Sequence, residues 1–98
     1  MPVQVYGLDL FGDSFREFTR MVSVSAHGGL LVLAARVQKS QTILVVNRNT
    51  GEEQECSVVY LGPMQGGKWT VGIEFARPAA NFWKIHFPPT MPQRPPSA

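Results

Sequence analysis

The chain has 98 residues, enough for one domain with a real core and too few for two. Hydrophobic residues make up 44% and charged residues only 16%, so much of the surface must be built from Ser, Thr, Gln, Asn and Gly. Nine Lys and Arg against seven Asp and Glu give a net charge of +2, too weak and too scattered to announce a duplex-binding protein.

Taken in chain order, short β-favouring runs alternate with turn residues. Pro2 to Leu10 carries Val3, Val5 and Leu8 in an extended context, and Phe11-Gly12-Asp13-Ser14 supplies turn chemistry. Phe15 to Ser25 predicts a second strand ending in the alternation Val22-Ser23-Val24-Ser25. His27-Gly28-Gly29 breaks it, and the apolar run Leu30 to Ala34 predicts a third strand. Thr42 to Val46 is β-branched, Asn47 to Gly51 is a turn, and Glu53 to Leu61 predicts a fifth strand with Val58, Val59 and Tyr60 as its core. Gly62 to Gly67 predicts another turn. Lys68 to Phe75 alternates cleanly, with Trp69, Val71, Ile73 and Phe75 predicted inside.

Six short strands at roughly ten-residue spacing argue for an all-β antiparallel sandwich or barrel. Residues 79–86 predict one short turn; Phe82, Trp83 and Ile85 in it and Phe87 just after it are too apolar for water and are expected to plug one end of the domain. Residues 88–98 hold five prolines in eleven positions and predict a disordered or polyproline-type tail. The domain boundaries are therefore 1–87 and 88–98.

The chemistry-bearing residues are few. Cys56 has no cysteine partner and no ligand-spaced neighbour, so it predicts a buried strand residue in a reducing, cytoplasmic setting. No apolar run is long enough for a helical membrane span, and no signal peptide pattern opens the chain. His27 beside Ser25 lacks the orienting carboxylate that a nucleophile pair needs, so no catalytic residue and no enzyme activity is predicted. The carboxylates show no metal-loop spacing, and the paired glycines precede no helix that could cradle a phosphate. With Trp69 expected inside and no basic stripe beside an exposed aromatic, no nucleic-acid partner is expected.

Three stretches together resemble the PilZ domain family: Val5-Tyr6-Gly7-Leu8-Asp9 with Gly12 and Phe15; Val22 to Leu31 around Ser25 and Gly28; and Val71-Gly72-Ile73-Glu74-Phe75. Asn81-Phe82-Trp83 with Phe87-Pro88-Pro89 is similar to the tail of one subgroup, so the resemblance covers about residues 3–89. It implies a six-stranded antiparallel barrel and, as ligand, cyclic di-GMP. In that family an Arg-x-x-x-Arg segment ahead of the first strand grips phosphate and stacks on guanine, and a "[DN]-x-S-x-x-G" strand end meets the purine edge.

Here no arginine pair precedes Val3, Ser23 stands in the Asp/Asn position, and only Ser25 and Gly28 match the strand-end motif. Arg16 and Arg20 spell Arg-x-x-x-Arg inside the second strand, on one face. The resemblance thus implies ligand contacts at Ser23, Ser25 and Gly28, with Arg16 and Arg20 in unusual support. Two readings stand side by side. One is a degenerate PilZ-like signalling module that works through a protein partner or pairs with itself through an exposed strand edge. The other is a genuine cyclic di-GMP effector. Neither calls for a resident cofactor.

Overall fold

The computed structural model describes residues 1–79 and 81–84. The expected tail at 88–98, and Ile85, His86 and Phe87 of the expected plug, lie outside the described residues. Six strands form: β1 (Pro2–Leu8), β2 (Ser14–Ser25), β3 (Gly28–Leu33), β4 (Thr42–Asn47), β5 (Glu53–Gln65) and β6 (Lys68–Phe75). They close into an antiparallel barrel in the order β1-β2-β3-β6-β5-β4. Two three-stranded meanders, β1–β2–β3 and β4–β5–β6, are thus joined at two seams, β1 with β4 and β3 with β6. The expected all-β six-stranded barrel is the observed fold, and no helix long and apolar enough to cross a membrane occurs among the described residues.

Alternation decides which side chains fill the interior. Val3 and Val5 of β1, Leu31 and Leu33 of β3, Ile43 and Val45 of β4, and Val71 and Ile73 of β6 are buried together. Cys56 joins them, as its sequence context predicts, and burial pushes its thiol up from 9.0 to about 12.

The antiparallel path gives the barrel two poles. At one lie the β2–β3 and β4–β5 turns, the N-terminus and the segment after β6. At the other lie the β1–β2 and β5–β6 turns and the β3–β4 connection. The first pole is closed. Phe75, Phe82 and Trp83 pack edge to face or tilted, with ring centroids 4.8–5.7 Å apart. Each buried ring stabilises the fold by roughly 2–3 kcal/mol. Buried Asn47 ties the plug down: its Nδ2 donates to the Phe82 carbonyl (2.8 Å), while its Oδ1 accepts from Asn49 N in the turn (2.9 Å).

Three local expectations need correction. β5 does not turn at Gly62 but runs on to Gln65, because a register shift at Leu61/Met64 absorbs Gly62 and Pro63 as a strand irregularity, after an earlier shift at Val58/Tyr60 that takes up Val59. The turn itself is Gly66-Gly67, both with positive φ. Val59 falls on the outer face beside buried Val58 by plain alternation, and the shift at Val58/Tyr60 turns Tyr60 out as well, so of the three predicted core residues of β5 only Val58 is buried. Finally, Trp69 lies near the start of β6, opposite Leu33 at the barrel mouth, where it is half-buried and outside the core cluster.

The β2–β3 seam is unlike the others. Its ladder runs only from Met21↔Leu31 to Ser25↔Gly28. Beyond it, side chains replace the backbone ladder. Thr19 Oγ1 donates to Val32 O (2.6 Å), and the Glu17 carboxylate accepts from the amides of Ala34 (2.8 Å) and Ala35 (3.1 Å). Lys68 Nζ lies 3.4 Å from the same carboxylate and balances its charge.

Candidate functional site

The sequence directs attention first to the end of β2. A register shift between Met21 and Ser23 makes Val22 an extra residue, exposed on the outer face. Past this bulge the alternation changes phase, so Ser23 and Ser25 point outward, as do Arg16, Phe18 and Arg20 before it. All four polar candidates on β2 therefore share one face. They do not share one site. Nine residues of strand separate Arg16 from Ser25, about 30 Å. Arg20 and Ser23 are about 10 Å apart along the strand, within an arginine's reach of a common ligand.

Gly28 has a structural task. Its φ is +154°, and a Cβ there would run into the carbonyl oxygen of Ile73 and within 2.9 Å of Glu74 Cα. Only glycine lets β3 meet β6 this closely. The turn is held from the other side by Trp83, whose Nε1–H donates to the carbonyls of both Ser25 (3.0 Å) and Gly28 (3.1 Å). Ser25 Oγ accepts from the backbone N–H of His27 (3.2 Å), so the hydroxyl braces its own turn.

The second pole carries a feature that the sequence did not announce. Leu10, Ala35, Arg36, Val37, Leu61 and Trp69 line a cavity of about 300 Å³. Leu10 N donates to Arg36 O (2.9 Å), pinning the β1–β2 tip to the β3–β4 connection as one wall. The Arg36 guanidinium carbon lies 5.3 Å from the Trp69 ring centroid. Around the mouth, Leu8, Leu10, Phe11, Leu61 and Met64 are exposed, Phe11 by 77%.

A third feature lies on the outer face of β2. Phe18 is 53% exposed, flanked by Arg16 and Arg20, and Arg48 brings its guanidinium carbon to 4.5 Å from the ring centroid. The described ion pairs are Lys68–Glu17 and Lys84–Glu52, so no described carboxylate pairs with Arg16, Arg20, Arg36 or Arg48. The expectation that no basic cluster accompanies an exposed aromatic is therefore overturned. Arg48 is far from Phe18 in sequence, and only the barrel brings them together.

Comparison with protein-family models, with curated proteins and with solved structures finds no match to this chain.

Of the residues singled out from sequence, the fold brings Ser25 and Gly28 into one turn and lines Arg16, Arg20 and Ser23 along one outer face. Sequence reasoning missed Arg36, Trp69 and Leu10 as a group. The signal available was weak, an arginine in an irregular stretch, because its partner comes from a rung of β6 distant in the chain.

Proposed function

We propose that this chain is a PilZ-like regulatory binding module, degenerate for cyclic di-GMP, that acts by contact with a protein partner. Its proposed setting is bacterial signalling in the cytoplasm. The observation that carries the degenerate reading is the Trp83 indole N–H. It donates to the carbonyls of Ser25 and Gly28 while Ser25 Oγ accepts from His27 N, so this strand end already serves the plug and its own turn. The distance between Arg16 and Ser25 supports the same reading, since no single small ligand spans about 30 Å.

Support for a protein partner comes from the open pole. Exposed Leu10 and Leu61 line an apolar cavity with one arginine at its edge, and Leu8, Phe11 and Met64 are exposed at the same pole, a composition typical of a contact surface. Pairing through a strand edge has less to work with. The barrel is closed, and the stretch of β5 beyond its pairing with β4 carries two register shifts and Pro63.

The second reading, a genuine cyclic di-GMP effector, is favoured by one observation: the bulge at Val22 turns Ser23 to the same face as Arg20, whose guanidinium has no described carboxylate partner. Isothermal titration with cyclic di-GMP tests both. The degenerate module gives no heat and an unchanged Tm. A micromolar Kd that Arg20→Ala abolishes would instead establish the effector.

A further inference from the structure

We propose that the outer face of β2 is a binding site for single-stranded nucleic acid, with Phe18 and Arg48 as the stacking platform and Arg16 and Arg20 as the phosphate contacts. This inference stands apart from the preceding reading, because it uses neither Gly28 nor the cavity lined by Leu10, Arg36 and Trp69.

The alternation of β2 sets Arg16, Phe18 and Arg20 on one face at intervals of about 6.7 Å, with the aromatic ring between two cations. Across the β1 pairing, Tyr6 stands opposite Arg16, Gln4 opposite Phe18 and Pro2 opposite Arg20. The immediate neighbours are thus aromatic or uncharged, and Tyr6 is itself partly exposed. Arg48 N donates to Pro2 O (3.2 Å), which anchors the arginine beside the Phe18 ring. The guanidinium plane is itself a surface on which a base stacks, as is an exposed phenyl ring. Planar, permanently charged donors suit phosphate oxygens.

A trough continues the site. Phe18, Thr19, Arg20, Val32, Gln65 and Lys68 line an open groove of about 400 Å³ where β2 and β3 part. Lys68 enters it already paired with Glu17, so the groove adds less positive charge than its lysine suggests. Across the sheet in the other direction, the acids of β5 are Glu53 and Glu55, opposite Val46 and Leu44 of β4; Glu52 in the Arg48 turn is paired with Lys84, and Asp13 precedes Arg16 by three residues at the β1–β2 tip. Glu53 and Glu55 stand three strand spacings from β2, about 14 Å. A polyanion therefore follows β2 toward the groove and away from β5. A strand rather than a duplex fits because stacking requires a free base face, which a duplex hides.

The test is fluorescence anisotropy of a fluorescein-labelled oligothymidylate with the full chain, at several salt concentrations. Binding is expected at low salt, and with two phosphates engaged, by Arg16 and Arg20, log K should fall against log salt with a slope of about −1.4. Phe18→Ala should weaken binding by about ten- to a hundredfold. Arg20→Gln should reduce the slope by about 0.7. Lys39→Gln, in the exposed β3–β4 connection, should leave both unchanged. Phe18 and Arg20 face solvent, and an unchanged Tm in each variant confirms an intact barrel. Three results would overturn the proposal. The first is no binding even at low salt. The second is binding that Phe18→Ala leaves untouched, which marks charge attraction alone. The third is salt-sensitive self-association, abolished by Arg20→Gln without oligonucleotide binding, which gives this face to the Glu53–Glu55 surface of a second copy.

Discussion

The two poles of the barrel use the same residue types to opposite ends. At the closed pole, Trp83 is 2% exposed, packs on Phe75 and Phe82, and spends its indole N–H on two carbonyls. At the open pole, Trp69 stands half-buried beneath Arg36 at the rim of a cavity. The difference lies in the path of the chain around each residue. After β6 the chain folds back across its own pole, whereas the hairpin containing Trp69 has its turn there and no further described segment to cover it. An aromatic ring at a barrel end is thus a plug or a wall according to where the chain goes next.

Truncating each tryptophan measures that contrast. Trp83→Ala should lower the unfolding free energy by about 3–5 kcal/mol, read from urea midpoints, since it opens a buried cavity and strands two carbonyls. Trp69→Ala should cost about 1–2 kcal/mol, because its site is already in contact with water. Equal losses would mean that the two poles are packed alike.

The glycines sharpen the same contrast on the backbone. Gly28→Ala at the closed pole forces a Cβ against the Ile73 carbonyl at positive φ and should cost about 2–3 kcal/mol. Gly66→Ala at the open pole also meets positive φ but finds no atom within 4 Å, and should cost about 1 kcal/mol. Thermal melts of the two variants, measured together, separate steric closure from conformational preference.

Cys56, paired with Phe75 toward the closed pole, offers a smaller effect that depends on pH. Its folded thiol holds its proton to about 12, against 9.0 ordinarily. Below pH 9 both folded and unfolded chains are protonated and the thiol leaves stability unchanged. Above it the unfolded chain alone releases the proton, so stability falls by up to about 1.4 kcal/mol per pH unit until the folded thiol titrates. The difference in urea midpoint between the native chain and Cys56→Ala, tracked from about pH 7 upward, isolates this contribution. A difference that stays constant with pH would show that water reaches the thiol.

Much of the barrel was legible because alternation and turn chemistry are local. The run Lys68 to Phe75 declared its strand to the residue, and Phe82 and Trp83 declared their burial by being too apolar for solvent. The misreadings occurred where one extra residue changed the phase. Val22 and the irregular stretch from Val58 to Met64 look like ordinary strand in one dimension, and only pairing with a straighter neighbour exposes the bulge. The candidate sites were harder. Arg48 meets Phe18, and Arg36 meets Trp69, through the closure of the barrel, and no spacing in the chain encodes either contact. The Ser25 and Gly28 pattern was visible, but its use as the anchor of Trp83 needed a partner 55 residues away.

The parted seam between β2 and β3 has an evolutionary side. A backbone ladder is nearly indifferent to which residues compose it, so mutation rarely unfastens one. Along this stretch, fastening rests on the carboxylate of Glu17 and the hydroxyl of Thr19, and each is one codon. The trough is therefore adjustable one side chain at a time, at Glu17 or at Thr19, while the backbone ladders of the rest of the cylinder stay in place.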